Sequence, residues 1–362
     1  MRRRAGDRVE LTNAPWPRCQ PEPNRAAPRV DTMLPLADDY GRVATDLRVS
    51  LTDRCNLRCT YCMPPEGLDW MPLESQLTDD EVVRLITIAV ERLGITEVRF
   101  TGGEPLVRRG LVDIVRRTAA LDPAPETSVT TNALGLARTA TALAEAGLTR
   151  VNVSLDTVRA DTFHEITRRD RFHDVVAGLA AAQAAGLGPV KVNAVLLRGV
   201  NDDQAPEVLE WCLERGYELR FIEQMPLDAQ HGWDRAAMVT ADEILASLES
   251  RFVLVPDEEP RGSAPAERFL VDGGPATVGV IASVTRPFCG SCDRVRLTAD
   301  GQVVNCLFAR EESDLRTALR AGAGDEELAQ RWVAAMATKK PGHGIDDPTF
   351  LQPDRPMSAI GG

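Results

Sequence analysis

Glu97-Val98-Arg99-Phe100-Thr101-Gly102-Gly103-Glu104-Pro105 combines an apolar, β-branched run with a glycine turn. A short run with β-branched and aromatic residues predicts a strand over 97–101, and two glycines followed by a proline stop it. The stretch that follows, 108–121, has the apolar spacing of a helix. Working outward, the unit repeats. Candidate strands 47–51, 127–131, 150–154, 190–195 and 219–223 alternate with candidate helices 79–93, 136–146, 172–186, 204–215 and 241–250. Gly94, Gly147, Gly186 and Gly216 stand where helices are expected to end. Six βα units in succession predict a parallel sheet, either doubly wound or an incomplete barrel.

Polar residues at the strand ends decide between these two. Thr101-Gly102-Gly103-Glu104, Thr130-Thr131-Asn132, Ser154-Leu155-Asp156, Asn193 and Glu223 through Met225 all fall at the C-terminal end of a candidate strand. In a parallel barrel such ends face one shared mouth. The expected fold is therefore an α/β, incomplete (β/α)6 TIM-type barrel over 46–255, with a C-terminal extension. The extension divides into 256–340 and a tail, 341–362. Residues 1–45, rich in Arg and Pro and without periodicity, read as a disordered tail in which Met33 is an alternative start.

Composition narrows the classes of function. With 43% apolar and 27% charged residues among 362, this is an ordinary globular chain. A net charge of -12 argues against a general nucleic-acid or acidic-membrane binder, while leaving room for a local basic pocket. No run of 18 or more apolar residues and no secretory signal are present, so a cytoplasmic, reduced protein is expected. Eight cysteines are too few for a disulfide scaffold of this length. Cys19 and Cys212 stand alone; the other six fall into two groups, which points to metal ligation.

The first group is Cys55-Asn56-Leu57-Arg58-Cys59-Thr60-Tyr61-Cys62. Three thiolates at this spacing can hold three corners of a four-iron four-sulfur cube and leave the fourth iron open to a ligand. Zinc or a ferredoxin-type cluster is the alternative; structural zinc takes four ligands, and no fourth Cys or His stands nearby. The second group, Cys289-Gly290-Ser291-Cys292 with Cys306, again supplies three thiolates, and zinc completed by water remains its alternative. Between Cys292 and Cys306, the runs 294–298 and 302–305 around Ala299-Asp300-Gly301 read as a hairpin.

Cys-x3-Cys-x2-Cys with Tyr61 before the last Cys resembles the signature of the radical S-adenosylmethionine enzymes. Four further features are the run from Asp53, the Gly102-Gly103-Glu104-Pro105 loop, Phe288-Cys289-Gly290-Ser291-Cys292-Asp293-Arg294-Val295-Arg296, and the terminal Gly361-Gly362. With these added, residues 45 to 362 resemble the GTP 3',8-cyclase family of molybdenum cofactor biosynthesis. The resemblance implies the partial barrel, two four-iron four-sulfur clusters and S-adenosylmethionine. It also implies cyclisation of GTP to (8S)-3',8-cyclo-7,8-dihydroguanosine 5'-triphosphate, through hydrogen abstraction at ribose C3' and attack on guanine C8.

Residue by residue, the resemblance makes Cys55, Cys59, Cys62, Cys289, Cys292 and Cys306 the cluster ligands. Tyr61, Gly103, Ser154 and Met225 match cofactor contacts; Arg48, Arg99, Thr130, Lys191, Arg220, Arg294, Val295 and Arg296 match contacts to GTP. Gly361 and Gly362 would reach the active site and assist catalysis, where glycine alone can thread close to a ligand. Glu97 departs from the pattern, since some relatives carry a basic residue there. Implied partners are an external electron donor of the flavodoxin or ferredoxin type, cyclic pyranopterin monophosphate synthase as recipient of the product, and a second copy of the chain as a homodimer.

The distribution of charge points the same way. An acidic protein must concentrate cationic side chains to receive a triphosphate, and charged residues inside otherwise apolar strands are costly to bury without a partner. Taken singly, Thr130 and Ser154 would be ordinary strand residues and Met225 a core filler. Two other readings stay open: a different two-cluster radical enzyme acting on a peptide or another nucleotide, and a non-enzymatic iron-sulfur sensor or electron carrier.

Overall fold

The computed structural model describes residues 33–361. Cys19, most of the expected tail and Gly362 lie outside the described residues. All six predicted βα units are present. The strands are β1 (Asp46–Ser50), β2 (Glu97–Thr101), β3 (Glu126–Thr131), β4 (Arg150–Ser154), β5 (Lys191–Val195) and β6 (Glu218–Ile222). They lie parallel and in chain order.

The helices between them are α1 (Asp79–Leu93), α2 (Leu111–Ala119), α3 (Leu136–Glu145), α4 (Ala160–Thr167), α5 (Phe172–Ala184) and α6 (Ala205–Arg215), with α7 (Ala241–Glu249) after β6. Helix α1 starts on a capping box between Thr78 and Glu81 and stops at left-handed Gly94, which explains why its bounds could be read from sequence. Helix α4 was not expected: with only Phe163 and Ile166 as large buried apolar residues it is too short to show a period.

The C-terminal part is woven into the same sheet. After β7 (Leu254–Pro256) and β8 (Glu267–Val271), β9 (Thr277–Ile281) runs parallel beside β6; β10 (Arg294–Leu297) runs parallel beside β1. Strands β11 (Gln302–Val304) and β12 (Ser313–Asp314) extend that edge, β10 and β11 forming the expected hairpin. The division expected at 255/256 therefore falls inside β7, and one sheet of 12 strands continues across it. Helices α8 (Arg316–Arg320), α9 (Asp325–Ala337) and α10 (Met357–Ile360) complete the chain.

Residues 33–45, expected within the disordered tail, are ordered. Leu36 and Ala44 are fully buried, Ala37 and Val43 form a bridge, and the buried Arg42 pairs with Asp38 at 2.5 Å. Apolar burial and one internal ion pair hold this short segment, features that leave no periodic trace in sequence.

Alternation along each strand separates two faces. Leu47, Val49, Val98, Phe100, Val129, Val151, Val153, Val192, Leu219, Phe221, Val295 and Leu297 are buried in the main apolar core, to which the helices α1, α2, α3, α5, α6 and α7 also contribute. The other face carries Arg48, Arg99, Asn152, Asn193, Arg220, Arg294 and Arg296. The sheet is curled: the charge of Arg99 on β2 reaches Arg220 on β6, four strands away, and a flat sheet with strands about 4.8 Å apart would separate them too widely. No helix among the described residues is long and apolar enough to cross a membrane.

Candidate active site

The β-sheet register gathers the basic residues. Arg296, Arg48 and Arg99 are direct neighbours on β10, β1 and β2, and Arg294 is opposite Asp46 one step earlier. Asp46 Oδ2 lies 3.6 Å from Arg48, 3.9 Å from Arg99 and 3.9 Å from Arg294, all longer than a hydrogen bond. Burial tends to raise the Asp46 carboxyl, but Arg48, Arg99, Arg294 and Arg296 outweigh it and hold it low. Four guanidiniums thus face one carboxylate in a buried setting. Asp46 Oδ1 and the Nε atoms of Arg48, Arg99 and Arg294 have no hydrogen-bond partner.

Burial lowers Arg48 well below its ordinary value and brings Arg220 and Arg296 to about 10, which leaves the latter two cationic at neutral pH. Arg220 is aimed by Asn193 Oδ1 at 2.9 Å and Asn152 Oδ1 at 2.7 Å. Gly279 on the neighbouring strand leaves room for it, since a Cβ there would meet Arg220 Cγ at 2.9 Å. Lys191 is half-buried and paired with Glu218 at 3.2 Å; Thr130 lies beside Asn152 on the same face. Glu97 is paired with Arg150 at 3.3 Å, which offsets its negative charge. Val295 is not brought to this group. It is fully buried in the apolar core, because a period of two turns it away from Arg294 and Arg296.

At the strand ends, Cys55, Cys59 and Cys62 come together in the loop after β1. Burial pushes the Cys55 and Cys62 thiols up to about 11 and about 12, and raises Cys59 well above its usual value. Neighbouring thiols add to the rise at Cys59 and Cys62. Asn132 Nδ2 lies 3.8 Å from Cys55 Sγ and donates to Asn56 Oδ1 at 2.7 Å. Arg58 donates to the Cys55 and Leu57 carbonyls, and Arg168 to those of Arg58 and Met63, so two guanidiniums brace the loop.

The Gly-Gly turn has a structural reason of its own. A Cβ on Gly102 would lie 2.3 Å from the Thr52 carbonyl, and one on Gly103 2.4 Å from those of Asp53 and Arg54. Glycine is required because this turn is pressed against the cysteine loop. Next to it, Glu104 is fully buried and accepts from Thr131 Oγ1, Asn132 N and Leu106 N; burial brings it up to about 7. Tyr61 donates to Asp156 Oδ2 at 2.8 Å, and burial raises Asp156 to about 6. Ser154 lies beside Asn193 at the ends of β4 and β5. Met225 packs in a small cluster with Met238, Val284 and Ile345.

The second group is held by residues the sequence reading did not single out. Arg42 donates to the carbonyls of Cys289 at 2.8 Å, Lys340 at 2.6 Å and Pro341 at 3.1 Å. Buried Lys339 lies 3.4 Å from Cys292 Sγ, and Arg294 3.6 Å. Burial alone would raise the Cys292 thiol, but Lys339 and Arg294 prevail and lower it; burial raises Cys306. Arg42, in the segment read as a tail, and Lys339, at the end of the extension 256–340, are isolated basic residues that gave no signal for these roles.

The C-terminal tail joins the two groups. Arg296 donates to the Gly361 carbonyl at 2.9 Å, and the Ser358 backbone works against the rise of the Cys62 thiol. Gly361 has φ of +74°, and a Cβ on it would lie 2.4 Å from Thr101 and 2.8 Å from Ser50.

The donor sets fit clusters. In the first triad the three cysteines lie within each other's electrostatic reach, and in the second Cys306 lies within reach of Cys289 and Cys292. A single zinc draws its thiolates to about 2.3 Å each, whereas a cube places a separate iron under each sulfur.

Comparison with known proteins agrees. Residues 49–212 match the radical SAM superfamily model and residues 217–345 the Molybdenum Cofactor Synthesis C model. Among solved structures, Streptococcus suis SuiB bound to S-adenosylmethionine matches with a TM-score of 0.56 at 14% identity, covering 84% of this chain and 66% of SuiB, a likeness of fold. The GTP 3',8-cyclase of Streptomyces coelicolor is 71% identical over 328 residues, 90% of this chain and 96% of the relative. That of Mycobacterium sp. strain KMS is 65% identical over 342 residues, 94% and 98%. With its fold, its two cysteine triads and these relatives, the chain belongs to the GTP 3',8-cyclase family of radical S-adenosylmethionine enzymes.

Proposed function

We propose that this chain cyclises GTP, joining ribose C3' to guanine C8 inside an incomplete (β/α)6 barrel, as the first step of molybdenum cofactor biosynthesis. The observation that carries the reading is the group Arg48, Arg99, Arg294 and Arg296 around Asp46, with unpaired Nε atoms on Arg48, Arg99 and Arg294, in a protein of net charge -12. A triphosphate carries roughly four negative charges and supplies the acceptors these donors lack. Arg220, Lys191 and Thr130 on the same face extend the cradle along the sheet.

Cys55, Cys59 and Cys62 would hold one cluster, and Cys289, Cys292 and Cys306 the other. When bound, the first cluster with S-adenosylmethionine supplies one-electron cleavage of the sulfonium and thereby the power to take hydrogen from an unactivated ribose carbon. Tyr61, Gly103, Ser154 and Met225 line the strand ends where that cofactor would lie. The chain's contribution is positioning: an intramolecular bond forms only from a near-attack geometry, and fixed guanidiniums on strands hold the nucleotide still. Gly361, between β1 and β2 and tied to Arg296, closes this space. Buried Asp156 orients the Tyr61 hydroxyl.

The electron is supplied by a carrier of the flavodoxin or ferredoxin type, the product passes to cyclic pyranopterin monophosphate synthase, and the protein works in the cytoplasm, with a homodimer as one assembly. Anaerobically reconstituted protein given S-adenosylmethionine, reductant and GTP should form 5'-deoxyadenosine in proportion to cyclised nucleotide, and none of that nucleotide from ATP. Equal cofactor cleavage with and without GTP would reject the reading.

A further inference from the structure

We infer that a basic collar beside the first cysteine loop is the docking site of an acidic protein that delivers single electrons. This rests on the proposed function, which requires a reductant, and goes beyond it in saying where that reductant binds. A cavity of about 310 Å³ opens there, lined by Asn56, Arg138, Arg169 and Arg171 together with Leu134 and Asp170. The three arginines are exposed, and so is Arg54 on the loop itself.

Three observations set this surface apart. First, its charge opposes that of the chain: arginines converge beside the cysteine loop of a protein with net charge -12. Of its carboxylates, Asp170 lines the cavity and Asp174 pairs with Arg171. Arg169 donates to the Arg168 carbonyl, while Arg58 and Arg168 beneath the collar spend hydrogen bonds on neutral carbonyls, so those charges stay uncompensated by these contacts.

Second, the cavity wall leads inward over few atoms. Asn56, which lines it, accepts from Asn132 Nδ2 at 2.7 Å, and that same nitrogen lies 3.8 Å from Cys55 Sγ. Third, the collar shares no residue with the guanidiniums around Asp46, so a donor seated on it does not compete with the nucleotide for the same side chains. An anionic protein surface is drawn to such a collar at long range, and charge complementarity of this kind mainly raises the association rate. Delivery itself moves one electron, oxidising the carrier and reducing the cluster, with no bond made or broken.

The test uses reduced flavodoxin as the probe and the triple variant R138E/R169E/R171E. The association rate of flavodoxin with the protein, measured anaerobically without substrate, should fall at least about tenfold in the variant. In the parent it should fall steeply as salt rises. GTP-dependent turnover driven by dithionite should be unchanged. Unaltered flavodoxin binding in the variant, or salt-independent binding in the parent, would overturn the collar's role. So would a variant that loses GTP or phosphate affinity while flavodoxin binding is kept, since the collar would then hold a phosphate ligand. Failure of dithionite-driven turnover in the parent would instead count against the proposed function. If the triple variant does not fold, R138E/R169E and the salt titration decide.

Discussion

Gly361 accepts a hydrogen bond of 2.9 Å from Arg296, across a separation of 65 residues, at a point where a Cβ would lie 2.4 Å from Thr101. The contact ties the end of the chain to a strand of the cationic face. In the same segment, the Ser358 backbone opposes the rise of the Cys62 thiol.

Gly361→Ala is expected to expel this segment, because the new methyl group has no space and the φ of +74° is unfavourable for alanine. Cyclisation should fall by at least about tenfold, while the iron content of both clusters and the thermal midpoint stay near those of the parent. Turnover and iron assays on the same preparation check this.

Asp46 faces four guanidiniums, of which Arg294 alone also lies near Asp293 at 3.7 Å, so Asp46→Asn leaves like charges together. Ligand-free protein should lose about 3 kcal/mol of stability, by analogy with breaking a buried ion pair. GTP should restore more stability to the variant than to the parent. Urea unfolding with and without GTP measures both. Arg99→Ala, by contrast, should weaken GTP binding roughly tenfold to a hundredfold, since a charge-assisted hydrogen bond is worth about 1.5–3 kcal/mol.

The Asp156 carboxyl sits at about 6 in the folded protein against an ordinary 3.8, through burial. Its folded value is the higher one, so between these limits the unfolded chain gives up a proton that the folded chain keeps. The stability it contributes is full below about 3.8 and lost as pH rises through about 6, on the order of 3 kcal/mol. Asp156→Asn, which can still accept from Val195 N and meet Tyr61, should flatten the stability of cluster-free protein across that window. Urea midpoints at a series of pH values show whether it does.

Lys339 and Arg294 lower the Cys292 thiol, whereas burial raises Cys55, Cys59, Cys62 and Cys306. In cluster-free protein near neutral pH, Cys292 should therefore be alkylated faster than these four, because the thiolate is the reactive form. Lys339→Met should slow it severalfold. Timed iodoacetamide labelling read by mass spectrometry gives the order directly.

What could be read from sequence was what local chemistry dictates. Short β-branched runs, helical spacing of apolar residues, glycine at helix ends and the cysteine spacings are local, and the six βα units followed from them. The pairing of β9 with β6 and β10 with β1 depends on contacts far apart in the chain and left no sequence signature. The same holds for Arg42 and Lys339, single basic residues whose roles arise only when distant loops meet. Val295 shows the reverse error: taken with its neighbours as a continuous stretch, it is turned into the core by the strand's own period. Asp46 lies one residue before the expected strand 47–51, where nothing local marks it, though the arginines converge on it.

The central claim is that the cationic face holds GTP with its ribose C3' presented for hydrogen abstraction. The most direct measurement gives the reconstituted protein GTP deuterated at C3' and follows the label by mass spectrometry. The account predicts one deuterium in each 5'-deoxyadenosine formed and a cyclised nucleotide that has lost it. Deuterium retained in the nucleotide, with unlabelled 5'-deoxyadenosine, would contradict it.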